Sequence, residues 1–314
     1  MTEIKKYELV MDDTKDLPLV EGRKAYRIRA LRDFGNVKAG DLGGYIENEK
    51  NLSHDFNCWV GGNAVVTGNS RIKFNAQVYD NANISGHVIV EGKAEVYGHV
   101  IIYDRVKIKN RSKVYGKAKV FGTAVITDYA EVYGSAEIFM SASISDHAKI
   151  YGECNVYGNA KISGEAEIFG YADVSGSSSV FDKAQVADTS ELGGVVSIRD
   201  NAIVGGNAEI FAGTIGGRSI ISGDVEISTD VHFTKKAIIS SKKDYMLFDC
   251  VGSEDGILTA FQTKKSIAVT RGCFSGSLKR FKKTVEEVHS DNPKVLKEYR
   301  TIIKLIEDRL GGEK

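Results

Sequence analysis

Cysteine is scarce. Four cysteines occur in 314 residues, none in a Cys-x-x-Cys or Cys/His ligand spacing, which excludes a disulfide framework and the common zinc motifs. The thiols are expected to be reduced, and the sequence leaves open whether Cys250 and Cys273 pair. Charge of one sign is missing too. Lys and Arg number 42 and Asp and Glu 42, so the chain has neither the basic excess of a non-specific nucleic-acid binder nor the acidic excess of a DNA mimic. No stretch approaches the ~20 apolar residues of a membrane span, and residues 1–12 lack the apolar run of a secretory signal. A cytoplasmic chain without membrane or nucleic-acid partners is expected. No His/Asp/Glu set has metal-ligand spacing and no Ser-His-Asp arrangement stands out, so no metal and no cofactor are expected.

What is present is a repeat. From Cys58 the chain reads CWVGGN, AVVTGN, SRIKFN, AQVYDN, ANISGH, VIVEGK, AEVYGH, and the frame small, any, Val/Ile, any, Gly/Asp, any runs for 26 hexads. One residue is then dropped, and the frame resumes at Gly213. Period-two alternation over the first four positions describes a short strand with the first and third side chains inward and the second and fourth outward. The Gly-Asn, Asp-Asn or Gly-His at positions five and six suits a corner, where positive φ is easy for Gly and tolerable for Asn or Asp. A second period counts the strands per coil. The fourth position reads Tyr97, Tyr103, Lys109, then Tyr115, Phe121, Thr127, then Tyr133, Phe139, Ser145. The true repeat is eighteen, three strands to a coil, and the class is mainly β.

Residues eighteen apart then stack, and outward positions form ladders. Glu95, Lys113, Glu131, Lys149 and Glu167 alternate in sign, as register control would require, at ~0.2–1 kcal/mol per neighbouring pair. Tyr79, Tyr97, Tyr115, Tyr133, Tyr151 and Phe169 form an aromatic ladder on one face, with Tyr103, Phe121, Phe139 and Tyr157 on the next. At ~50 Å² exposed per ring these ten would present about 500 Å², a patch that monomers seldom leave uncovered. They are the candidate binding surface. Stacking that stabilises the solenoid itself, self-association, docking of the C-terminal segment and a foreign partner are the readings of it.

The hexads resemble the left-handed parallel β-helix of the hexapeptide-repeat superfamily. The segment YRIRALRDFGNVKAGDLGGYIE from Tyr26, followed by NLSHDFNCWV, is similar to the opening segment of YdcK-type acyltransferases and their phage-borne relatives, and the resemblance covers roughly residues 26–240. It implies a left-handed helix, frequent assembly as trimers, and coenzyme A-dependent acyl transfer with a His as general base. This chain departs from the usual transferase hexad, because Gly or Asp stands two places after the aliphatic residue. His87, His99 and His147 all occupy the sixth, corner position, and His99 and His147 are the weak catalytic candidates. The 26 hexads contain no insertion that could hold an acyl carrier.

An open coil end exposes unpaired backbone groups, so caps are expected. Residues 1–57 are read as an N-terminal β cap with a glycine-rich bend at Gly40, Gly43 and Gly44, residues 58–240 as the solenoid, and residues 241–314 as a small α+β unit. That unit has strand-like runs YMLFDCV, GILTAFQT and SIAVTRGCF, with a hairpin near Lys264 and Lys265. A helix from about Ser277 presents Leu278, Phe281, Val285 and Val288. A second, from about Pro293, presents Leu296, Tyr299, Ile303, Ile306 and Leu310 and ends at Gly311-Gly312. Two basic groups, Arg27, Arg29 and Arg32 and Lys279, Arg280, Lys282 and Lys283, are read as solvated faces. The leading expectation is a non-catalytic, rigid binding scaffold acting through protein-protein contacts, as a homodimer or homotrimer or through a partner of the C-terminal unit. Coenzyme A-dependent acyl transfer is one alternative. A phage-type accessory or counter-defence protein that binds a host factor or small molecule is the other.

Overall fold

A computed structural model describes residues 5–17 and 24–311. The chain is a mainly β parallel solenoid with an 18-residue repeat and about 11 coils, together with a small antiparallel sheet and two helices. It divides into two compact units, Met1–Ser175 and Gly176–Lys314.

The first unit begins with β1 (Tyr7–Asp16), β2 (Lys24–Ala30) and β3 (Leu42–Ile46). β1 and β2 run antiparallel, as do β2 and β3, but β3 pairs in parallel on its other edge, Tyr45 opposite Val65 and Ile46 opposite Val66. The parallel stack is therefore entered ahead of Cys58, and β3 turns an antiparallel cap into the first coil. Gly43 and Gly44 lie within this strand, not in a bend as expected. A Cβ on Gly43 would sit 2.5 Å from Ile28 and from the Val60 carbonyl, and one on Gly44 2.6 Å from the Ala64 carbonyl. The glycines allow the cap to approach the coil. Lys6 is fully buried beneath it and donates to the Cys58 carbonyl at 2.8 Å.

The hexads behave as the alternation requires. Inward residues such as Ala94, Val96, Ala130 and Val132 have no accessible surface, and each buried Val contributes about 1.5–3 kcal/mol. The second, fourth and sixth N–H groups of a hexad donate to carbonyls of the next coil: Glu95 to Ser112 at 3.0 Å, Tyr97 to Val114 at 3.0 Å, His99 to Gly116 at 2.7 Å. The fifth residue adopts positive φ, as at Asp80, Asp104 and Asp146. Its carboxylate has a further use. Asp80, Asp104 and Asp146 accept the corner N–H of Gly98, Gly122 and Gly164 one coil on, at 3.1, 3.0 and 2.9 Å. These donors lie outside the strand ladder, so the aspartates complete the hydrogen bonding of the corners.

In the second unit the expectation that every hexad ends in a bend fails at two stacked strands. Glu191–Ile198 is a continuous eight-residue strand paired with Glu209–Ile215, and the register moves between Leu192 and Val195. Gly193 and Gly194 together face Phe211, which is where the dropped residue is absorbed. The terminal sheet has four strands in sequence order, Tyr245–Val251, Gly256–Gln262, Ile267–Arg271 and Phe274–Ser277. The run SIAVTRGCF is thus two strands and not one, because Gly272 takes positive φ and turns the chain at Cys273. The strand Gly256–Gln262 closes the last coil: Phe261 packs edge-on against Phe233 at 5.4 Å, and Thr259 accepts the His232 N–H.

Helices α1 (Leu278–Val288) and α2 (Pro293–Leu310) pack on that sheet through Leu278, Phe281, Val285, Tyr299, Ile303, Ile306 and Leu310. Val295 and Ile302 join this core, with Leu296 only partly buried. Val288 does not belong to the face, being 66% exposed, because the His289 ring stacks on Tyr299 in its stead. Gly311 caps α2, and Gly312 lies outside the described residues.

The corner aspartates can be tested by urea unfolding. Asp146→Ala keeps a side chain at positive φ and loses the acceptor, and is expected to cost about 1–3 kcal/mol. Asp146→Gly loses the acceptor alone and should cost less. An Asp146→Ala midpoint equal to that of the wild type would contradict the role given to the carboxylate.

Candidate functional site

The 18-residue register determines which outward side chains meet. Tyr79, Tyr97, Tyr115, Tyr133, Tyr151 and Phe169 form one stack, with centroids 4.8–5.2 Å apart and planes within 6°. Tyr103, Phe121, Phe139 and Tyr157 form a second, at 4.7–4.9 Å. All ten rings are half-buried. Ring faces inside each stack are covered by neighbouring rings, so edges and hydroxyl groups are what the ladders present outward. That geometry does not suit a ligand that needs an open π face, such as a sugar or a quaternary ammonium group.

The charged ladder runs beside the tyrosines. Lys113 lies 3.6 Å from Glu95 and Lys149 3.9 Å from Glu167, while Lys119 and Glu137 on the neighbouring face pair at 2.7 Å. The glutamates also accept from the rings, Tyr115 donating to Glu131 at 3.1 Å and Tyr151 to Glu167 at 3.3 Å. Burial, reinforced by these carboxylates, raises the phenol pKa values. Tyr79 and Tyr151 are pushed up to about 12, and Tyr97, Tyr115 and Tyr133 shift in the same direction.

The histidines lie apart from one another. His99 and His147 are both exposed at corners. His147 stacks on Tyr129 at 4.8 Å, with Arg111 over the other ring at 5.6 Å. Among the described residues neither His99 nor His147 is joined to a carboxylate that would orient it as a base. His87 lies 3.1 Å from the side chain of Asn69. All four cysteines are free, Cys58 and Cys154 buried and Cys250 and Cys273 exposed. Burial pushes the Cys154 thiol up to about 12 and raises Cys58 as well, so both are protonated space-fillers. Among the described residues no group of His, Cys, Asp and Glu could hold a metal ion, and no helix is long and apolar enough to cross a membrane.

The basic groups visible in the sequence are largely compensated in space. Arg27 pairs with Asp13 at 2.8 Å, Arg29 with Glu8 at 3.2 Å, Lys283 with Glu287 at 3.4 Å, and Lys282 with Glu307. Arg32 lies over Phe34 and Arg280 over Phe274.

The raised phenol pKa values carry a pH dependence of known sign. A phenol with a folded pKa above its unfolded value stabilises the fold fully below about pH 10, and that stabilisation is lost as pH rises toward about 12. Phenolate absorbance and the loss of β circular dichroism are therefore expected to rise together over that window. Ladder tyrosines that ionise near pH 10 with the fold intact would contradict the packing described.

No family model matches the chain. A stretch of 53 residues, 15% of this chain, is 42% identical to a protein of Escherichia coli (strain K12) described as the uncharacterized acetyltransferase YdcK. The match spans 16% of that protein's length. The parallel solenoid with its 18-residue repeat is consistent with the β-helix superfamily.

Proposed function

We propose that this chain is a non-catalytic binding scaffold, and that copies of it associate as a dimer or trimer through the two aromatic ladders. The observation that carries the reading is the alignment of ten half-buried rings on adjacent faces in a single backbone register. Rings already held by their neighbours lose little rotamer freedom when a partner covers them, which removes part of the usual entropic cost of association. Tyrosine and phenylalanine are favoured at the centres of interfaces and charged groups at their rims. The glutamate and lysine ladder supplies such a rim beside the rings.

Light scattering tests this. Wild-type protein is expected at a multiple of the 34.2 kDa chain mass, and the combined variant Tyr115→Ser, Phe121→Ser, Tyr133→Ser at the monomer mass with its β circular dichroism retained. An unchanged oligomer in the variant would sink the reading, as would a monomeric wild type.

Acyl transfer from coenzyme A is the second reading, supported by the 53-residue match to a protein described as an acetyltransferase. It predicts calorimetric binding of acetyl-coenzyme A that falls in His99→Ala or His147→Ala. The absence of any heat of binding would set it aside.

A further inference from the structure

One basic cluster is not compensated, and the sequence hides it. Arg218, Lys235 and Lys236 come from the same corner of two successive coils, and Lys264 and Lys265 from the hairpin of the terminal sheet. Folding brings all five to the wall of one cleft of about 730 Å³ in the second unit. The acid that shares the lining is Asp200, and its carboxylate is engaged by the Gly217 N–H at 2.7 Å. Lys235 donates to the Ser275 carbonyl at 2.9 Å, which leaves its charge unneutralised. Among the described residues Arg218, Lys236, Lys264 and Lys265 have no carboxylate partner. The basic groups that stand close together in the sequence differ from this cluster, since Arg27, Arg29, Lys282 and Lys283 pair with carboxylates and Arg32 and Arg280 lie over aromatic rings.

Like charges gathered around a concavity repel one another and raise the local potential, and a bound anion relieves both effects. The N-cap residue of α1, Ser277, lines the same cleft, so the positive end of that helix adds to the field. We infer that the cleft binds a small anion carrying more than one phosphate group. An arginine fork grips phosphate oxygens in pairs, while lysines contribute point charges that accommodate several phosphates. The volume lies within the ~300–1,000 Å³ of small-molecule sites. A nucleic-acid duplex would need cations distributed along a surface, whereas these converge on one concavity of a chain with zero net charge. This inference is independent of the aromatic ladders and of any acyl transfer.

Sodium tripolyphosphate is the probe, titrated by calorimetry at low salt. Saturable binding is expected, weakened at least ~tenfold in Arg218→Ala/Lys236→Ala and in Lys264→Ala/Lys265→Ala. It should be unchanged in Lys107→Ala/Lys161→Ala, a pair in the other unit, and should weaken with added salt more steeply in wild type than in either cleft variant. No saturable binding, or an equal loss in the Lys107/Lys161 control, would overturn the assignment. Duplex DNA that binds more tightly than tripolyphosphate, and is lost in the same cleft variants, would overturn it in favour of a polymer.

Discussion

Each coil is joined to the next by backbone hydrogen bonds between residues about eighteen apart, and every other feature follows from that register. Three N–H groups per hexad donate across the gap, as from Glu95, Tyr97 and His99. Side chains at equivalent positions are thereby held one strand spacing apart, ~4.8 Å. The centroid spacing of the tyrosine stack, 4.8–5.2 Å, is that spacing expressed in rings. Stacking, charge alternation and corner capping then favour the same register. A slip of one residue would turn the buried Ala and Val to solvent and the tyrosines to the interior.

The register also separates structural from functional chemistry. Small and branched residues at the first and third positions fill the interior, and aspartates at the fifth hold the corners. The outward second and fourth positions are the ones free to vary, and they carry the aromatic and charged ladders. At the C-terminal end the coil corners contribute Arg218, Lys235 and Lys236, and the cleft forms where the terminal hairpin approaches them. Association through the ladders and binding of an anion in the cleft would use different residues.

Much of this was legible from the residues. The alternation of Ala and Val with polar residues identified the strands, and the recurrence of Tyr97, Tyr115 and Tyr133 gave three strands to a coil. Both are local patterns that the backbone repeats unchanged. What escaped depended on contacts between distant segments or on direction within a corner. Nothing in the hexad says that the Asp80 carboxylate points at the Gly98 N–H, because Gly and Asp look interchangeable as corner residues. Gly43 and Gly44 read as a bend, although their purpose is close approach to Val60 and Ala64. Val288 fits the apolar face of α1, but His289 covers Tyr299 in its place. Lys6 follows Lys5 in a polar stretch and carries no sequence sign of its burial against Cys58. The cleft lysines lie too far apart along the chain to register as a cluster, whereas Lys279, Arg280, Lys282 and Lys283 stand together in the sequence and are mostly partnered.

The register itself can be tested by disulfide cross-linking. With Cys250 and Cys273 replaced by Ser, Lys113→Cys/Glu131→Cys places two thiols one coil apart, within the ~4.4–6.8 Å Cα separation a disulfide accepts. Lys113→Cys/Lys149→Cys places them two coils apart, at roughly 10 Å, beyond it. Mild oxidation is expected to give an intramolecular disulfide in the first variant and none in the second. Cross-linking of both to the same extent, or of the second alone, would contradict an 18-residue coil.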